Sequence, residues 1–195
     1  MPKCSVYVDT TILGSWILYH QKRDKIAKSG KRVIESFEFL KKIEIGCVDY
    51  VFETSTWATS ELAGIIVDNI LAEQMLKDGI SLTEFSSQKR VFNIQDEDTR
   101  RAIVENLATF HDYLEKINLR IRSYEIDDDL VIDILFRHTF LPIPDALHLS
   151  FAVRSCDVFL TLDERHFLEQ KHRREIEKSN KIRIMRPYEL IELLK

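Results

Sequence analysis

Apolar and polar positions change period several times along the chain, and each change marks an element. Val6, Tyr7 and Val8 form a short apolar run rich in β-branched and aromatic side chains, which predicts a buried strand. The run stops at Asp9, and apolar residues resume at Ile12 with a spacing that suits a helix over 12–20. Val33, Ile34, Phe37, Leu40 and Ile43 recur at helical spacing. Residues 46–54 read as a second strand. Residues 55–76 read as a long helix, with Ser and Thr as cap candidates at its start and Gly79 past its end.

Residues 88–94 read as a strand or simply a connection, and 96–117 as a helix with an acidic first turn. Residues 119–126 alternate like a strand. The acidic start of 127–140 suits a short helix, since carboxylates favour a helix N-terminus. Residues 141–155 read as a helix entered through Pro144 and Asp145. Residues 156–162 are apolar on both faces, as a central parallel strand should be, and they too lead into an Asp, Asp163. Residues 165–178 suit a solvated, basic-rich helix, 181–185 a last strand, and 187–195 a terminal helix with Pro187 at its start. Strands alternating with helices predict an α/β fold with a mostly parallel sheet. No internal repeat and no linker interrupt the pattern.

Composition narrows the picture. Only 5 Gly and 4 Pro in 195 residues favour regular, helix-rich structure over low-complexity linkers. With 28 Lys and Arg against 32 Asp and Glu, the net charge of −4 provides no global basic field, so nucleic acid would need a local patch. Cys4, Cys47 and Cys156 are scattered and form no CxxC pair, which argues against structural zinc and a disulfide framework and suits a reducing cytosol. Asp9 falls where the apolar core of a leader would lie, and no stretch approaches the roughly 18 apolar residues of a spanning helix. A cytoplasmic protein with no membrane association is expected.

The candidate chemistry lies in four carboxylates. Asp9 and Asp163 follow predicted strands, and the C-terminal edge of a parallel sheet is where ligands bind. Glu61 and Asp145 stand near helix starts that follow sheet connections. Taken singly, Asp9 reads as a turn residue, Asp145 as a helix cap, Asp163 as a turn or cap, and Glu61 as an ordinary acid in a first helical turn. Together on one edge they would require raised pKa values or a cation, and Mg²⁺ or Mn²⁺ suits oxygen ligands of this kind.

These residues carry a resemblance. The segments VYVDTTIL, SELAGI and PDALHLSFAVRSCDVFLTLDERHF resemble the PIN domain, the metal-dependent ribonuclease fold of VapC-type toxins. The resemblance runs in order from Val6 to about Met185. It implies a three-layer α/β/α PIN-like domain over 1–195, a mostly parallel central sheet of about five strands, and a helical elaboration around 80–140. The family's acidic positions fall on Asp9, Glu61, Asp145 and Asp163, as catalytic residues and ligands of one or two Mg²⁺ or Mn²⁺ ions. Asp163 would bind a second ion or orient water. Thr161 falls where the family often has a supporting hydroxyl, and Thr11 stands where it often has Asn or Ser. The implied activity is hydrolysis of RNA phosphodiester bonds, with a toxin's antitoxin protein and a homodimer as implied partners. A housekeeping RNA-processing nuclease, or a catalytically idle module that binds RNA or protein, stands as the alternative.

Other residues carry two readings. Lys22, Arg23, Lys25, Lys28, Lys31 and Arg32 suit either RNA phosphates or an exposed, solvated loop. Asp127, Asp128 and Asp129 suit a solvated helix start. Glu53 competes with Glu61, and Glu164 adjoins Asp163 but reads as pointing to solvent. His148, three residues after Asp145, reads as a structural histidine or as support for the site. Trp16, Trp57 and most Phe suit the core, although Phe37, Phe39 and Leu40 would also suit a groove for a partner. The chain has no GxGxxG, phosphate loop, HExxH, GxSxG or two-Asp phosphatase signature, so those enzyme classes lose their motifs.

Overall fold

Five parallel strands form the sheet of the computed structural model, which describes residues 3–21, 31–46, 49–81, 83–89 and 97–193. The strands are β1 (Cys4–Val8), β2 (Tyr50–Ser55), β3 (Leu119–Arg122), β4 (Val158–Leu160) and β5 (Arg183–Met185), in the order β3-β2-β1-β4-β5. The chain moves outward one way from β1 through β2 to β3 and the other way from β4 to β5. The strand order therefore reverses between β1 and β4, the position where open α/β sheets bind ligands.

The pleat divides the core in two. Val6 and Val8 of β1, Val158 and Leu160 of β4, and Met185 of β5 face one helical layer. That layer contains α1 (Thr10–Gln21), α2 (Lys31–Ile45), α3 (Thr56–Lys77), α5 (Glu97–Lys116) and α9 (Pro187–Leu193), through residues such as Ile12, Leu40, Leu62, Phe110 and Leu190. Tyr7, Phe159 and Ile184 face the opposite layer of α6 (Asp128–Arg137), α7 (Ile143–Ser155) and α8 (Gln170–Asn180). Central strands buried on both sides explain why their sequences are apolar throughout. The fold is thus three-layered, α/β/α. A short α4 (Phe85–Gln88) precedes α5, and α5 sends Phe110 and Leu114 into the main core. No helix of the described residues is long and apolar enough to cross a membrane.

Local chemistry explains several boundaries. Ser55 caps α3 by accepting the Ala58 amide at 3.1 Å. Gly79, at φ 81°, ends it, with the Gly79 amide on the Leu76 carbonyl and the Ile80 amide on the Met75 carbonyl. Asp127 caps α6, so one member of the acidic run is structural.

Some expectations need correcting. The inward face of α2 is Glu35, Ser36, Phe39, Leu40 and Ile43, whereas Ile34 is exposed. Glu35 turns inward because its carboxylate accepts the Tyr188 amide in the first turn of α9 at 3.0 Å. Phe39 and Leu40 lie wholly in the core and line no partner groove. The helix expected over 165–178 is broken. A π-helical turn spans Glu164–Leu168, and α8 begins only at Gln170. The pattern over 119–126 yields only the four-residue edge strand β3. Most of the strand-or-connection at 88–94 lies outside the described residues. So do Cys47, Lys22, Arg23, Lys25 and Lys28, and the side chains of Trp16, Lys31 and Arg32.

Candidate metal centre

Asp9 leaves β1 at the switch point. Its amide donates to the Leu160 carbonyl at 3.0 Å, which locks the ends of β1 and β4 together. The side chain is almost fully buried, and it is satisfied by neutral donors. Oδ1 accepts the Thr10 amide at 2.8 Å, and Oδ2 accepts the hydroxyls of Thr11 and Thr161, both at 2.7 Å. Those hydroxyls accept in turn from the Leu162 and Asp163 amides, both at 3.0 Å. The supporting residues Thr11 and Thr161 therefore join Asp9 to the loop that carries Asp163.

Asp163 performs two tasks with its two oxygens. Oδ1 accepts the Arg165 and His166 amides, at 2.8 and 3.0 Å, and so caps the π turn. Oδ2 faces Nδ1 of His166 at 2.9 Å. Asp145, in the first turn of α7, brings its Oδ2 to 2.7 Å from the same Nδ1. One N–H donates along one line, and the aligned partner is Asp163. Asp145 Oδ2 is consequently buried with no hydrogen-bond donor. Burial first, then the charge of Asp163, pushes the Asp145 carboxyl up to about 6, although His166 pulls it the other way. Among the described residues, Asp145, Asp163 and His166 are the three whose ligand atoms converge, all within 4.8 Å of one another.

Glu61 is held apart from this triad. Its Oε2 lies 2.7 Å from His148 Nε2. The other ring nitrogen of His148 meets the Tyr7 hydroxyl at 2.7 Å, and that hydroxyl meets Ser55 Oγ at 3.1 Å. Burial alone would lower the His148 pKa. The hydrogen bond to Glu61 and the charges of Asp9, Glu61 and Asp145 outweigh burial and raise it.

The four predicted acids thus reach one sheet edge by different attachments. Asp145 and Asp163 meet across His166 Nδ1, Asp9 joins through Thr161, and Glu61 is anchored by His148. The charge of Asp9 nonetheless raises the pKa of Asp145, so the groups share one field. Glu53 does not compete, because it is buried and bonded to Arg122 at 2.6 Å. Glu164 pairs with Arg186 at 2.9 Å rather than pointing free into solvent. Surface hollows of about 360, 490 and 220 Å³ lie elsewhere, and none is lined by the four acids or His166.

Sequence reasoning missed His166 and Tyr7. The signal for His166 was its spacing, three residues after Asp163, which places a side chain back over its own cap. Tyr7 had only its phenol as a signal, a polar tip within an otherwise apolar strand. The donor set of two carboxylates, one oxygen lacking a donor, and an imidazole fits a divalent cation. Set against protein-family models, curated proteins and solved structures, the chain matches none.

Proposed function

We propose that this chain is a divalent-metal-dependent ribonuclease of PIN type, acting on RNA phosphodiester bonds with Mg²⁺ or Mn²⁺. The observation that carries the reading is the buried, donorless Oδ2 of Asp145 beside Asp163 at the switch point of the sheet. Asp145 and Asp163 would hold the ion, with Asp9 and Glu61 adding negative charge beside it. Such an ion acidifies a water and offsets charge developing on a phosphate. The chain's own residues prepare the site. Thr11 and Thr161 fix Asp9 and, through the Asp163 amide, the loop beside it. His148 fixes Glu61 from a ring that Tyr7 holds in place. Lys22, Arg23, Lys25, Lys28, Lys31 and Arg32 would meet the RNA backbone. The finer reading, a toxin with an antitoxin partner and a homodimeric assembly, rests on the sequence resemblance.

A catalytically idle module that binds RNA or protein is the second reading. His166 favours it, because its imidazole stands between Asp145 and Asp163, where a cation would. A labelled RNA pool incubated with the protein, with and without Mn²⁺ or Mg²⁺, separates the two. Cleavage that needs metal and falls at least about 100-fold in Asp145→Asn, of the order expected for loss of a group acting in the transition state, supports the nuclease. Metal-independent cleavage, or cleavage indifferent to the substitution, overturns it.

A further inference from the structure

What a hydrogen on His166 Nδ1 cannot do bears on the role of the ring. Nδ1 lies 2.7 Å from Asp145 Oδ2 and 2.9 Å from Asp163 Oδ2. A single N–H serves one of these oxygens and leaves the other buried without a donor. With the ring hydrogen carried on Nε2 instead, a cation in contact with all three atoms would serve every one of them. The two nitrogen–oxygen spacings suit that arrangement, and the three atoms all lie within 4.8 Å of one another: adjacent ligands around an octahedral ion with bonds of about 2.1 Å lie about 3.0 Å apart. The π turn sets this spacing. Asp163 Oδ1 captures the His166 amide at 3.0 Å, which folds the imidazole back over Asp163 Oδ2 and toward α7.

We propose that His166 Nδ1 is itself a metal ligand, making Asp145, Asp163 and His166 a centre of two oxygens and one nitrogen that takes a transition-metal dication, Mn²⁺ in preference to Mg²⁺. The inference deepens the reading given under Proposed function by specifying its metal. Mg²⁺ favours all-oxygen surroundings, whereas an imidazole nitrogen strengthens binding of first-row transition metals. His166 also separates this centre from the acid quartet expected from the sequence, since it supplies nitrogen where that set has only oxygen.

The test uses the full chain without RNA. Calorimetric titration at fixed pH should give Mn²⁺ binding at least about tenfold tighter than Mg²⁺ binding. His166→Gln should lose about 10- to 100-fold in Mn²⁺ affinity while Mg²⁺ affinity changes less than about threefold. Electron spin echo modulation of Mn²⁺ on the unsubstituted protein reads directly bound nitrogen, so the inference remains testable even where the variant fails to fold. Nitrogen modulation in the unsubstituted chain, lost in a folded His166→Gln, supports it. Bound Mn²⁺ without nitrogen modulation, or equal loss of both metals in the variant, overturns it and leaves the nuclease reading intact. Nitrogen-ligated Mn²⁺ with no RNA cleavage does the reverse. No binding of either metal overturns both.

Discussion

Replacing Asp145 by Asn should stabilise the metal-free protein, although it removes a side chain expected to be essential. The carboxyl has an ordinary pKa of 3.8 and is pushed up to about 6 in the fold, by burial and by Asp163. Between those values the folded chain retains a proton that the unfolded chain has lost. Folded stability therefore falls as pH rises from about 4 to about 6, and the full deficit persists above. The gap corresponds to about 3 kcal/mol. The side chain is 21% exposed, so solvent screening brings the figure nearer about 2 kcal/mol.

Urea denaturation in EDTA measures this directly. At pH 7.5 Asp145→Asn should be about 2 kcal/mol more stable than the unsubstituted chain, and the gap should shrink to about 1 kcal/mol or less by pH 4.5. Saturating Mn²⁺ should invert the order. A ligand at 100 times its Kd adds about 2.7 kcal/mol to a folded state that binds it, and the variant lacks an anchoring oxygen charge. A variant no more stable than its parent in EDTA at pH 7.5, or a gap that ignores pH, refutes the reasoning.

Three further outcomes follow from the same network. Thr161→Val keeps the shape but removes a donor to Asp9 and the acceptor of the Asp163 amide, and should lower stability by about 1–3 kcal/mol in chemical denaturation. Tyr7→Phe retains the ring stacked on Phe159 at 5.5 Å but leaves His148 and Ser55 without the phenol, for a loss of about 1–2 kcal/mol by the same measurement. Glu61→Gln tests the His148 pair by pH. A raised histidine pKa means that the pair's contribution is fully present below about 6.5 and is lost as pH rises through the raised value, so the variant's deficit should be largest near pH 6 and shrink as pH rises above it.

What the sequence made legible was local. Strand-end acids, the Ser55 cap and the Gly79 stop are signals written within a few residues, and α/β alternation with two-sided apolar strands led directly to an α/β fold with a mostly parallel sheet, its three layers being implied by the resemblance. What it hid was tertiary or competitive. The face of α2 rotates because Glu35 serves α9, an element about 150 residues away in sequence, and no period within 33–43 records that. The helix after β4 breaks because Asp163 captures two amides and the Leu168 amide reaches back to the Asp163 carbonyl at 2.9 Å, a local competitor that apolar spacing does not reveal. The pairing of Glu61 with His148 joins α3 to α7 across the sheet edge. From the sequence, Glu61 and His148 were each a candidate for the site, but nothing in their spacing paired them with one another.

Asp9 and Asp145 differ in kind, and one experiment exposes the difference. Asp9 Oδ1 faces a backbone N–H and Oδ2 faces two hydroxyls, so both oxygens already meet donors. An Asn there must point its amino group at one of these sets. The Thr10 N–H cannot turn, so the amino group faces Thr11 and Thr161, whose hydroxyls must swing their hydrogens elsewhere while still accepting the Leu162 and Asp163 amides. Asp9→Asn should therefore cost about 1–3 kcal/mol in EDTA and loosen the loop that carries Asp163. Asp145→Asn, of the same shape and charge change, should act with the opposite sign. Carboxylates that merely share a solvated edge would respond alike to this substitution. Opposite signs in parallel urea titrations would mean that the fold completes Asp9 by itself and leaves Asp145 incomplete, an unmet oxygen that a bound ion would complete. Equal signs would mean that the donorless oxygen of Asp145 is not strained, and the case for a metal at that point would lose its support.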